Sequence, residues 1–201
     1  MQDFDASIFL WLTASPTSAA WVVALALFLA SAVVPLVMGG LLVAWVRARS
    51  GWRSALLDAV ASGALGLGLV QVIGWLHYRP RPFEVGLGPN LLGHLPENSF
   101  PSDHATLMFA LAFGLLVAPP LPLRRAGIVL LALALAVSWA RVFLGVHYLS
   151  DILGGVVLAM VCVGLVKSLP VRAGLWAALN RLYEGLLFRL HLPQALFPRG
   201  R

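Results

Sequence analysis

The sequence predicts an all-α integral membrane protein, a bundle of about five transmembrane helices with short interfacial helices at its N- and C-terminal ends. Three observations carry this. The 201 residues are 60% hydrophobic and only 11% charged, with a mean hydropathy of +0.90, whereas soluble domains carry about 25% charged residues. Five stretches approach or exceed the ~20 apolar residues a helix needs to cross a bilayer: Ala19–Val46, Ser54–Leu76, Ser102–Ala118, Ala126–Leu144 and Leu149–Leu169. The basic residues, which give a net charge of +6, sit between those runs rather than along one stripe. That placement argues against a nucleic-acid partner and for membrane topology.

In chain order, Asp5–Thr13 carries Ile8, Phe9, Trp11 and Leu12 and reads as a short helix lying on the membrane surface. Met1–Asp5 is acidic, unlike the start of a cleaved signal peptide, so the first apolar run is expected to stay in the mature protein. That run is over-long and holds Pro35, Gly39 and Gly40, where a tilt or kink is expected. The second span carries Ala55, Ala59 and Gly63, a small-residue stripe able to line a lipid groove but better suited to close helix packing or a dimer seam. Gln71 in the same span has two readings, facing the site or, more commonly for such a residue, bonding a neighbouring helix. The third span is short and is ended by Pro119, Pro120 and Pro122. Val171–Leu192 mixes leucines with Arg172, Arg181 and Arg189 and resembles an amphipathic helix on an anionic leaflet. The single cysteine, Cys162, lies in an apolar run and reads as an inert thiol. No repeat or linker divides the chain, so residues 1–201 read as one domain with its motif-bearing core at about 19–169. The oligomeric state is left open.

Eleven basic residues fall on one side of the predicted spans: Arg47, Arg49, Arg53, Arg124, Arg125, Lys167, Arg172, Arg181, Arg189, Arg199 and Arg201. By the positive-inside bias that side is cytoplasmic, with the N-terminus out and the C-terminus in. Arg79, Arg81 and Arg141 fall on the opposite side, together with His77, His94, His104, His147 and Asp151. Cations that oppose the topology bias need another reason, and an anion site at the outer face supplies one.

Three segments carry the chemistry. The loop His77-Tyr-Arg-Pro-Arg-Pro-Phe83 presents Arg79 and Arg81, whose planar forks suit phosphate oxygens or lipid headgroups. Pro101-Ser-Asp-His104 opens the third span: Ser102 suits an N-cap, the free N–H groups there suit an anion, and His104 is placed to protonate a leaving oxygen. Arg141 ends the fourth span, Gly145 permits a tight turn, and His147 and Asp151 share a helix face. Asp151 accepting from one ring nitrogen leaves the other free to attack. A structural His–Asp pair would explain the same spacing, and no third residue completes a metal site. His77 and His94 read as solvated loop residues.

Together the segments resemble the type 2 phosphatidic acid phosphatase superfamily, whose pattern is K-x6-R-P, P-S-G-H and S-R-x5-H-x3-D. The counterparts are Arg81-Pro82, Pro101-Ser-Asp-His104 and Arg141-x5-His147-x3-Asp151. Three positions depart: the lysine is Gly74, or Val72 if counted from Arg79; the serine is Ala140; and the glycine is Asp103. Arg79 is the candidate to replace the missing lysine charge. The Asp103 carboxylate is expected to point away from the anion while its N–H donates. Arg-Pro-Arg-Pro-Phe and Ser-Phe-Pro-Ser-Asp-His resemble the undecaprenyl-diphosphatase branch. The resemblance implies a lipid phosphatase that needs no metal or other cofactor and acts on a polyprenyl or other lipid phosphate. His147 would be the nucleophile, with Asp151 orienting it. Arg81, Ser102, Arg141 and the backbone at Asp103 would hold the oxygens, and His104 would protonate the leaving group. The alternatives are a glycerophospholipid phosphatase, a lipid phosphotransferase and a non-catalytic phosphate-binding transporter.

Overall fold

The structure, a computed structural model, describes residues 2–190. Among them the long regular elements are eight α-helices, with no strand: α1 (Gln2–Leu12), α2 (Ala20–Ser31), α3 (Val33–Arg47), α4 (Ser50–Leu76), α5 (Asp103–Leu116), α6 (Leu121–Phe143), α7 (Leu149–Ser168) and α8 (Arg172–Arg189). Arg199 and Arg201 of the topology reading lie outside the described residues, as does the end of the amphipathic tail.

The first apolar run is bent by 44° between α2 and α3. Pro35 offers no N–H to the carbonyl of Ser31, so the ladder breaks one turn before the proline, at Ala32, rather than at the proline itself. This pair, α4, α6 and α7 are each long and apolar enough to span a bilayer. The expected third span, α5, is shorter than its apolar run. It has 14 residues between Pro101 and Pro119, about 21 Å of helix against ~30 Å of hydrocarbon.

Helix α5 is the centre of the molecule, packed against α4, α6 and α7 with most of its side chains buried. Small residues let its neighbours close in. A Cβ added at Gly114 would stand 2.7 Å from Cα of Ala59, so the Ala55, Ala59 and Gly63 stripe serves internal packing. Gly155 of α7 faces the Ser102 carbonyl and the Thr106 N–H, where a Cβ would stand 3.1 and 3.0 Å away. The first turns of α5 and α7 are thereby side by side.

At the opposite end, Asp58 of α4 is buried and accepts from Lys167 Nζ (2.8 Å), Arg172 NH1 (2.8 Å) and Trp176 Nε1 (2.8 Å). Arg53, one of the basic residues of the topology reading, is fully buried, paired with Glu184 at 3.1 Å and stacked on the Tyr183 ring. Helix α8 is therefore bound to the bundle through polar contacts, while Leu182 (73%) and Phe188 (69%) remain exposed.

Candidate active site

Both short capped turns and a long loop build the site. Ser102 Oγ accepts from the Ala105 N–H at 3.4 Å and starts α5, and the Ser102 N–H donates to the Asp151 carbonyl at 3.1 Å. Gly145, at φ +89°, turns the chain from α6 toward α7 against the carbonyl of Pro89, which leaves no room for a Cβ. The loop between α4 and α5 lies over this turn, with the Leu91 N–H donating to the Leu144 carbonyl and the Ser99 N–H to the Arg79 carbonyl.

His147 sits where these pieces meet and is 1% exposed. Its Nδ1 lies 3.0 Å from the Ser99 carbonyl and 3.5 Å from Asp151 Oδ2. A carbonyl only accepts, so Nδ1 carries the proton and Nε2 holds the lone pair. Nε2 faces Arg81 NH1 at 3.3 Å and Asp103 Oδ1 at 3.9 Å. Burial pushes the imidazole down to about 4; the Asp151 hydrogen bond opposes that, and the charges of Arg141 and Arg81 add to it. The ring is therefore neutral near pH 7, with the Nε2 lone pair free of a proton. Asp151 is fully buried and fully engaged: Oδ2 accepts from Ser99 Oγ (2.5 Å) and the Tyr148 N–H (2.8 Å), and Oδ1 from Arg79 NH1 (2.6 Å).

A cavity of about 480 Å³ opens in front of Nε2, lined by Gln71, Gly74, Tyr78, Arg81, Asp103 and His147 among others. Gln71 lines it too, the site-facing one of its two sequence readings. Arg81 is 3% exposed, gives NH1 to the Val146 carbonyl at 3.0 Å and lies 3.8 Å from Glu97. Desolvation lowers its pKa. Arg141 is 2% exposed, and NH2 lies 3.2 Å from His94 Nε2. The Nε–H groups of Arg81 and Arg141 are buried without a partner. Such donors are costly unless an anion takes them. Among the described residues no three His, Cys, Asp or Glu side chains converge on a metal-holding group; the positive charge here is guanidinium.

Two expectations fail on geometry. The Asp103 carboxylate does not turn away. It lines the cavity and accepts from His104 Nδ1 at 2.9 Å and from the His104 N–H at 2.8 Å. Arg79 does not face the cavity. Its NH1 meets Asp151 Oδ1 and Ser150 Oγ, each at 2.6 Å, and its NH2 meets Asp5 at 2.6 Å. The carboxylates of Asp5 and Asp151 outcompete any outward pose. His94 is not a solvated loop residue, because Arg141 holds it, whereas His77 is exposed. Sequence reasoning missed Ser99, Glu97, Asp5 and Ser150. Of these only Ser99 had a visible signal, its place directly before Phe100-Pro101-Ser102.

The chain is similar to known proteins over most of its length. Residues 55–175 match the family model of the PAP2 superfamily. YbjG of Escherichia coli (strain K12), provisionally named an undecaprenyl-diphosphatase, is 33% identical over 187 residues, 92% of this chain and 90% of that protein. The undecaprenyl-diphosphatase BcrC of Bacillus subtilis (strain 168) is 31% identical over 121 residues, 60% of this chain and 61% of that protein. The crystal structure of Aquifex aeolicus LpxE shares the fold, with a TM-score of 0.64 and 19% identity over 81% of this chain and 94% of that one. A transmembrane PAP2-type phosphatidylglycerolphosphate phosphatase from Bacillus subtilis gives 0.57 and 25% over 83% and 84%. The chain belongs to the PAP2 superfamily and is a membrane-spanning phosphatase of that family.

Proposed function

We propose that this phosphatase hydrolyses undecaprenyl diphosphate to undecaprenyl phosphate and phosphate through a phosphohistidine on His147. The observation that carries the reading is the His147 geometry: Nδ1 is tied to the Ser99 carbonyl while Nε2 faces a cavity beside Arg81. The names of YbjG and BcrC favour the polyprenyl substrate. Nε2 attacks the terminal phosphorus and forms an N–P bond as the bridging O–P bond breaks. Arg81 and Arg141 neutralise the phosphoryl oxygens, and Asp151 stabilises the ring as it becomes cationic. His104, held by Asp103, gives its proton to the departing undecaprenyl phosphate and then takes one from the water that cleaves the N–P bond.

The site faces the outer side of the membrane in this reading. The described residues of the basic set, from Arg47 to Arg189, belong to the opposite end of the bundle. Trp75, 85% exposed on α4, stands at the cavity rim, where an isoprenoid tail would lie along the helix. The test is phosphate release from undecaprenyl diphosphate by detergent-purified protein in the presence of a chelator, with His147→Ala alongside. Release in the wild type and its loss in the variant are expected. Faster turnover of phosphatidic acid or phosphatidylglycerol phosphate would replace the substrate assignment, and full turnover by His147→Ala would refute the nucleophile.

A further inference from the structure

Arg79 is committed to Asp151, and that commitment connects the site to a helix the motifs do not include. One terminal nitrogen of the guanidinium, NH1, meets Asp151 Oδ1 at 2.6 Å; the other, NH2, meets Asp5 Oδ2 of α1 at 2.6 Å. Ser150, the neighbour of Asp151, gives its N–H to Asp5 Oδ1 at 3.2 Å and its hydroxyl to Asp5 Oδ2. The Arg79 main chain continues the network. Its N–H donates to Asn98 Oδ1 at 2.7 Å, and its carbonyl accepts from Ser99, whose own carbonyl holds His147 Nδ1. The Arg79 guanidinium stacks 4.2 Å over the Tyr148 ring, whose other neighbour is Phe9 of α1. Asp5 and Arg79 are each largely buried, with side-chain exposures of 12% and 23%.

We propose that Arg79 and Asp5 are positioning residues for His147, acting through Asp151, and that α1 is thereby part of the catalytic apparatus. The charges run carboxylate, guanidinium, carboxylate, imidazole. Arg79 fixes the Asp151 carboxylate so that Oδ2 stays beside His147. Asp5 balances the Arg79 charge, which would otherwise draw Asp151 away from the ring it must stabilise. The inference rests on His147 being the nucleophile.

The test compares Asp5→Asn, Asp5→Glu, Arg79→Gln and the Asp5→Asn/Arg79→Gln double variant in the full chain. Three quantities are measured: steady-state kinetics on undecaprenyl diphosphate, the detergent thermal midpoint, and the rate at which diethyl pyrocarbonate acylates His147, read by peptide mass spectrometry. Residues that orient a reacting group from behind typically cost roughly 10- to 100-fold when removed. That loss is expected in kcat for Asp5→Asn and Arg79→Gln, with KM within about twofold because the cavity-facing groups are intact. Asp5→Glu should recover most of kcat, the double variant should fall no further than Arg79→Gln alone, and His147 acylation should slow in both single variants. A lowered midpoint with kcat intact would make the network a mere tether and overturn the proposal. A raised KM with kcat intact would overturn it too, by returning Arg79 to the phosphate. If the wild type released no phosphate, the proposed reaction would fail by itself, while equal acylation of His147 in wild type and Asp5→Asn would still sink the positioning role.

Discussion

Replacing Asp103 should move kcat and KM in the same direction on undecaprenyl diphosphate, both downward. Its Oδ1 accepts from His104 Nδ1 at 2.9 Å and stands 3.9 Å from His147 Nε2, where the phosphoryl group would arrive. A hydrogen bond to a charged group contributes about 1.5–3 kcal/mol. With the Asp103 side chain 40% exposed, solvent screening reduces that to about 1–2 kcal/mol, or roughly 5- to 30-fold in rate. The same carboxylate repels the incoming anion: two unit charges near 4 Å apart interact by about 1 kcal/mol in water, roughly a fivefold effect on binding. Asp103→Gly, which restores the family glycine, should therefore lower kcat on undecaprenyl diphosphate about 5- to 30-fold and lower KM about fivefold. Asp103→Asn keeps an acceptor for His104 and should lose less in kcat. On p-nitrophenyl phosphate, whose leaving group needs no proton, the kcat loss should largely vanish. The assay is phosphate release on both substrates. An unchanged kcat on the lipid would refute the Asp103–His104 coupling, and an increased KM would refute the repulsion.

Three further outcomes follow from the geometry. Because burial holds His147 down to about 4, its neutral form prevails from about pH 5 upward. Acylation of His147 by diethyl pyrocarbonate should thus reach its plateau below pH 6, and a midpoint near 6.5 would contradict the desolvated site. Gly145→Ala puts a Cβ into the Pro89 carbonyl at φ +89°, which should cost about 2–5 kcal/mol. It should abolish both folded yield and activity, and a normal thermal midpoint would show that the turn is not fixed. Asp58→Ala strands Lys167 and Arg172 and should cost about 3 kcal/mol. The detergent midpoint should drop while phosphate release at low temperature persists, and a lost reaction with an unchanged midpoint would contradict the separation of the two ends.

The spans were legible because apolar runs and prolines act locally, and the order of Arg81, His104, Arg141, His147 and Asp151 marked the site. What the sequence hid lies in the stretch between α4 and α5, whose only regular piece is the short 3₁₀ turn Pro82–Val85. A loop without periodicity gives no direction to its side chains. The sequence placed Arg79 and Arg81 together, yet the fold turns Arg81 to the cavity and Arg79 to Asp5, a partner 74 residues away. Asp103 was misread for a related reason. Its carboxylate follows His104 and the nearby cations, a field assembled from several separate segments. The third span was legible as short from its prolines, but not its last turn, since the apolar run continues to Ala118 although the helix stops at Leu116.

The bond between Asp5 and Ser150 spans 145 positions of chain, and this bears on how the protein is made. Helix α1 is synthesised before the spans, but its polar partner at the head of α7, Ser150, emerges only after the other spans have been threaded into the membrane. Helix α1 therefore waits through most of biogenesis with its Ser150 contact unmet. Closure of that contact marks a completed bundle, so a chain stalled before α7 carries Arg81, His104, Arg141 and His147 but neither Asp151 nor the clasp.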